Sequence, residues 1–469
     1  MMPSRPYSRL NIAALLLAGM GLIFSCGKSS FLDKKPSTSL VVPTSLVDFQ
    51  ALLDNTAVIG LTPVLGEMSA DNFYLIYNFW QGLDVREHNA YIWAPDIYGG
   101  QGHVDDWDIP YQQVFYANVI LEGLPNIKVD STNVTPWNTI KGSALFTRAF
   151  AFYNLAQLFA PVYDSVSSRN LPAMGIPIRL TADVNAPTTR STVQQTYDQI
   201  LADLQQAVVL LPATVPFTNR NRPSRPAAQA LLARVYLSMR NYGSAGAYAG
   251  SCLQSYPTLM DYYKLDSGLF PIARTNIETL YQSNFFINDQ VMSGLGVPQC
   301  VIDSVLYQSY ASNDQRRRIF YRIPPTTGTP SLKSSYNGSA YPFSGLAVDE
   351  MYLIRAECSA RTGNIAGAMG DLDTLWSHRC DSATFVPFTV PPLRKALDTI
   401  LLERRKELAF RGLRWTDLRR LNLDPTREDI LYRNLNGVVY KLLPNTSFYT
   451  LPIPPDVLAF SKIQDNPRQ

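Results

Sequence analysis

Apolar residues recur three and four positions apart over Leu46–Leu53, Val114–Leu121, Leu145–Phe159, Thr196–Leu210, Ala227–Met239, Met351–Ala360 and Leu397–Phe410. That spacing lays one apolar stripe along an α-helix, so seven helices are predicted. Strand-like alternation is short and scattered. The polar turn Arg240–Gly243 separates Ala227–Leu237 from Ala245–Leu253, which predicts an antiparallel helix pair with small residues where the helices approach. Met351–Ala360, the turn Thr362-Gly363-Asn364, and Ala366–Trp376 repeat the design.

The two pairs resemble tetratricopeptide-type units, but they lie too far apart for the period of about 34 residues that such repeats keep. A regular solenoid is not expected. The predicted fold is mainly all-α, with irregular tetratricopeptide-like helix pairs, long aromatic-rich loops and a few short strands. At the N-terminus, Arg5 and Arg9 precede the apolar run Ile12–Phe24, which is too short to span a bilayer and reads as a signal peptide over residues 1–25. Ile23-Phe24-Ser25-Cys26 resembles a bacterial lipobox, with Cys26 as the lipidated residue. Residues 26–45 then read as a polar tether and 46–469 as a single domain.

Charge and composition narrow the function. A net charge of +3 with no basic block argues against nucleic acid as a partner. Three His in 469 residues leave little for imidazole chemistry, and His378-Arg379-Cys380 has no second ligand pair nearby, so no metal is expected. GxSxG, GxxxxGK[ST], HExxH and helix-opening GxGxxG are absent; no catalytic residue and no cofactor is predicted. Asp105-Asp106-Trp107-Asp108 is the densest carboxylate cluster, and it reads as the capped start of a helix with Pro110 in its first turn. Arg316-Arg317-Arg318 reads as a solvated, partly paired run. Cys252 and Cys358 fall in helical patterns as buried thiols, and no disulfide is predicted among Cys252, Cys300, Cys358 and Cys380.

Aromatic residues supply the positive signal. Twelve of the 46 residues from Asp71 to Tyr116 are aromatic, more than twice the 11% of the whole chain. Trp107, Tyr111 and Phe115 sit at helical spacing and are expected in the core. Tyr77–Gly102 lacks periodicity and mixes aromatics with amides and charges, the combination that stacks on sugar rings and bonds their hydroxyls. Trp80, Trp93 and Tyr98, with Asn78 and Arg86, are therefore the predicted ligand-binding residues, and Tyr307, Tyr310, Tyr336 and Tyr341 the reserve group.

Longer motifs point to a family. Glu403-Arg404-Arg405-Lys406-Glu407-Leu408-Ala409-Phe410-Arg411-Gly412-Leu413-Arg414-Trp415-Thr416-Asp417-Leu418-Arg419-Arg420 precedes Leu451-Pro452-Ile453-Pro454 and Gln464-Asp465-Asn466-Pro467. With Phe31-Leu32-Asp33 and Met68-Ser69-Ala70-Asp71, these resemble the hallmarks of the SusD/RagB family of outer-membrane nutrient-binding lipoproteins. Arg411 stands where that family commonly has Glu, and Asn466-Pro467-Arg468-Gln469 replaces Asn-Pro-Gly-Tyr. The charged stretch from Glu403 is expected to be a structural ion-pair network beside a buried Trp415, with Gly412 capping its helix. The resemblance implies a lipid-anchored outer-membrane protein that faces the cell surface. It would capture an oligosaccharide without catalysis and deliver it to a SusC-type TonB-dependent transporter. A RagB-like peptide ligand is the alternative, and a surface glycoside hydrolase a more distant one.

Overall fold

Local chemistry starts the helices where the periodicity places them. Ser45 and Asp48 form a capping box at the head of α1 (Leu46–Leu53), followed by α2 (Leu65–Ser69), α3 (Tyr77–Gln81), α4 (Val85–Tyr91), α5 (Asp105–Gly123) and α6 (Val134–Phe159). A second capping box, Thr192 with Gln195, opens α7 (Val193–Leu210). The first helix pair is α8 (Arg225–Ser238) with α9 (Tyr242–Ser255), and the second is α10 (Val348–Arg361) with α11 (Ile365–Ser377). The turns are built alike: a left-handed residue, Arg240 or Gly363, is followed by an Asn N-cap, Asn241 or Asn364, whose side chain accepts from the third residue on. Then come α12 (Leu393–Glu407), α13 (Arg414–Leu421) and α14 (Pro455–Ser461). The computed structural model describes residues 43–170, 174–286, 290–292, 299–333, 336–339 and 341–468. The anticipated signal peptide, Cys26 and the tether through residue 42 lie outside them.

The helices pack in sequence, α5 on α6, α6 on α7, α7 on α8 and α8 on α9. Then α9 packs directly on α10, although residues 256–347 intervene in the chain. The two tetratricopeptide-like pairs are thus neighbours in space, and α11 and α12 complete the row against α10. Small residues permit the seam: a Cβ on Gly246 of α9 would come within 3.0 Å of the Cβ of Cys358 on α10. Strands among the described residues form only two-stranded pairs, such as Phe73–Leu75 antiparallel to Cys300–Ile302. The longest is the hairpin Leu431–Leu435 with Val438–Leu442, turned by Asn436 and Gly437, both left-handed as a two-residue turn of this twist requires.

The charged stretch of α12 and α13 is structural. Arg316 is fully buried and binds Asp314, Glu403 and Glu407, while Arg379 joins Glu407 to Glu278. Arg404 pairs with Asp417, and Arg420 grips Glu357 with two bonds of 2.7 Å. Trp415 is buried against Tyr449, their ring centroids 4.8 Å apart. Burial of so much charge is tolerated because each guanidinium in this network meets carboxylates.

Three expectations are corrected. Arg316 is no part of a solvated run; Arg318 is spent on carbonyls of Tyr262 and Leu265, and Arg317 lies over the Tyr307 ring. α12 ends at Glu407, so Gly412 caps nothing; with Phe410 it supplies a left-handed turn into α13, and its N–H donates to Glu67. Pro110 falls in the second turn of α5, and Asp106 serves the N-terminus of α2, accepting from Val64 N and Leu65 N at 2.7 and 2.9 Å. Arg411, the departure noted above, pairs with Asp349. Cys252, Cys300, Cys358 and Cys380 are buried free thiols. Among the described residues no helix is long and apolar enough to cross a membrane.

Candidate functional site

The aperiodic segment Tyr77–Gly102 folds as two short helices, α3 and α4, followed by the irregular stretch 92–102, with the rings of Trp80, Trp93 and Tyr98 turned inward. Trp80 donates from Nε1 to the His88 carbonyl at 3.0 Å and stacks on the His88 ring. Trp93 donates to the Ser69 carbonyl at 2.9 Å beneath the Arg433 guanidinium, and the Tyr98 hydroxyl donates to the Pro452 carbonyl at 2.7 Å. All three are buried, which corrects the picture of an exposed stacking platform. The reason is that each ring buries a large apolar area while a main-chain carbonyl satisfies its single polar hydrogen. A sugar could reach these faces only after the packed segment opened. Arg86 is half-buried and held by Asp84 at 3.1 Å; Asn78 stays exposed on α3. In the reserve group Tyr310 and Tyr336 are buried, Tyr307 is half-buried, and Tyr341 is exposed.

The principal cavity is a cleft of about 740 Å³ between α5, the irregular segment 177–188 and α14. Trp107, Tyr111 and Phe115 form one row along α5, four residues apart, and the row climbs out of the core. Trp107 is buried edge-on against Phe159, Tyr111 is half-buried, and Phe115 is 39% exposed. From α14, Val457 and Phe460 line the same cleft, and Phe460 is 90% exposed. The periodicity assigned this row correctly to a helix and wrongly to the core along its whole length. Phe460 had no periodic partner in the sequence to mark it.

The wall opposite α5 has no regular structure, yet the bundle fixes it. Arg179 donates to the carbonyls of Ala186 and Asp183 at 2.9 and 2.6 Å and to Thr188 Oγ1 at 2.7 Å. Asn118 on α5 donates to the carbonyls of Arg179 and Thr181, and its own oxygen accepts from Arg148, which is clamped by Asp203. The Tyr111 hydroxyl donates to the Pro177 carbonyl at 2.8 Å, and burial pushes that phenol well above its ordinary range. At one end Asp456 lines the cleft, and the exposed His103 lies 3.6 Å from it and 3.7 Å from Asp108. Burial, then the neighbouring Asp456 charge, raises the Asp108 carboxyl. The site thus offers ring faces, a fixed guanidinium and the exposed amide of Asn185. None of the five residues predicted from sequence lines it. Among the described residues no cluster of His, Cys, Asp and Glu could hold a metal ion.

Comparison with known proteins gives a consistent picture. The family described as "Starch-binding associating with outer membrane" matches residues 30–237, and the SusD family matches residues 309–457. A curated relative, SusD-like protein P2 of Formosa agariphila, is 24% identical over 374 residues, 68% of this chain and 71% of its own. Among solved structures, a SusD superfamily protein from Bacteroides thetaiotaomicron superposes with a TM-score of 0.72 at 21% identity, covering 90% of this chain and all of that one. A SusD-like carbohydrate binding protein from Bacteroides vulgatus gives 0.67 at 17% identity, covering 90% of this chain and 97% of its own. At these identities the structural likeness speaks for the fold.

Proposed function

We propose, from the premise that the chain belongs to the SusD family, that it is a saccharide-binding outer-membrane lipoprotein. In this reading Cys26 carries the lipid, an oligosaccharide docks in the cleft between α5 and α14, and a SusC-type TonB-dependent transporter receives it. The observation that carries the binding step is the aromatic row rising from Tyr111 to Phe115, with Phe460 lining the same 740 Å³. Flat rings stack on the apolar faces of pyranoses, and Asn185, Arg179 and Asp456 offer hydrogen-bond partners to hydroxyls. The sugar-binding description of a structural neighbour supports the ligand class. The role is capture without turnover. A peptide ligand is the second reading, favoured by the aliphatic side of the same cleft, where Val184 is exposed beside Phe460.

A glycan array and a peptide library, each screened with the intact protein and with Phe115→Ala and Phe460→Ala, separate the two. Binding of glycans that both substitutions weaken supports the proposal. Binding of peptides alone moves the function to the second reading, and glycan binding untouched by either substitution moves the site away from the cleft.

A further inference from the structure

Away from the cleft, a smaller pocket of about 210 Å³ opens between the end of α6, the end of α13 and the segment 445–450, and shares no residue with it. It has room for roughly seven waters, or one sugar ring. Arg419 on α13 forms part of its wall, and this guanidinium differs from its neighbours in the ion-pair network. Arg404, Arg411 and Arg420 each meet a carboxylate; Arg419, 3% exposed, meets none among the described residues. It donates instead to the carbonyls of Gln157 and Ala160 at the end of α6, and its Nε has no partner.

Two further guanidiniums stand behind the wall of the same pocket, bonded to residues that line it. Arg190 donates to the Met174 carbonyl and, at 2.9 Å, to the Asn466 side chain; both residues line the pocket. Arg468 donates to the carbonyl of Thr450, another lining residue, at 2.9 Å. Neither has an ion-pair partner within reach among the described residues, and Asp465 is the one carboxylate that acts on them. The negative end of α6 is worth about half an elementary charge, which does not balance the remaining positive charge. Burial holds Arg419 and Arg468 down at about 10, the response expected of cations short of counter-charge. The pocket also holds a free donor. The Tyr449 hydroxyl accepts from Asn422 at 3.1 Å, and no described residue accepts its proton. Burial first raises that phenol to about 12, so it stays protonated.

We propose that this pocket is an anion site for the carboxylate of a small organic acid or a uronate, drawn by the charge of Arg419, Arg190 and Arg468 and bonded by the Tyr449 hydroxyl. The carboxylate supplies the counter-charge that the fold leaves out. A ligand larger than one ring does not fit, so a uronate would enter as a monosaccharide or as the end of a chain.

Thermal unfolding of the intact protein in rising sodium acetate, sodium glucuronate or glucose, with ionic strength held constant by chloride, tests this. A saturable rise in melting temperature with acetate and glucuronate, absent with glucose, is expected. A rise with both acids means that the site reads the carboxylate alone; a rise with glucuronate only means that it also reads the ring. Tyr449→Phe keeps the ring against Trp415 and should move the midpoint of the rise to at least about fivefold higher concentration, the loss of one hydrogen bond to a charged group. Arg419→Gln, where it folds, should abolish the rise. No rise with either acid, an equal rise with glucose, an unchanged midpoint in Tyr449→Phe, or a rise surviving Arg419→Gln overturns the proposal.

Discussion

Glu357 shows at the scale of one residue what the buried network contributes. Arg420 grips it from one side and Arg361 lies 2.9 Å away, and although burial alone would raise the carboxyl, these charges bring it from 4.5 down to about 2. A carboxyl lowered on folding stabilises the protein above its unfolded pKa and loses that contribution as pH falls, so the window is pH 4.5 down to 2. The contribution is on the order of 3 kcal/mol. Denaturation measured across that window should show the loss in the wild type, and Glu357→Gln should be weakened by a comparable amount at pH 7 and show an acid-side drop smaller by that amount, the rest coming from lowered carboxyls such as Asp417 and Glu350. Glu67 runs the other way: burial raises it to about 7, so its contribution is complete below pH 4.5 and lost as pH rises to 7. The aromatics divide in the same residue-by-residue manner. Trp80→Ala and Trp93→Ala should cost about 3 to 5 kcal/mol of stability, as large-to-small changes in a core do. Phe115→Ala and Phe460→Ala should leave the melting temperature within a degree or two of wild type and weaken ligand binding up to about tenfold, which calorimetry would separate.

Elements with a local signature were legible in the sequence, and their arrangement largely was not. The pairs α8–α9 and α10–α11 follow from apolar spacing and from the turn residues Arg240–Gly243 and Thr362–Asn364, all of it information held within about 30 residues. The seam between α9 and α10 is a contact across residues 256–347, and no periodicity encodes it. The same limit explains the site. Tyr77–Gly102 shows no periodicity because its apolar positions are divided between two short helices and the irregular stretch 92–102, while the cleft is assembled from α5, residues 177–188 and α14, three segments distant in the chain. The seam itself is testable. Gly246→Val would thrust its side chain into Cys358 and should destabilise by about 1 to 3 kcal/mol, read as a lowered denaturation midpoint. If Gly246→Val is as stable as wild type, α9 and α10 do not approach at that residue.

For the whole molecule, the proposed anchor and partner are assayed together. Cys26→Ala should move the protein from the membrane to the soluble fraction with its fold intact. Gentle detergent extraction of the tagged wild type should recover a barrel transporter in near-equal amount; recovery of this protein alone would count against delivery to a transporter. The row of helices has a consequence of its own, since α9 and α10 are neighbours without being consecutive. The path between them passes through an exposed run, Asp266–Phe270, whose peptide bonds carry none of the α9–α10 contact. Covalent continuity there lowers the entropy of bringing the halves together but makes no part of the interface that joins them. A protease nick within Asp266–Phe270 should therefore leave two fragments that co-elute as one folded particle. Two genes split at that point should complement each other, so the protein can be handled as an obligate heterodimer whose subunits happen to be translated as one chain.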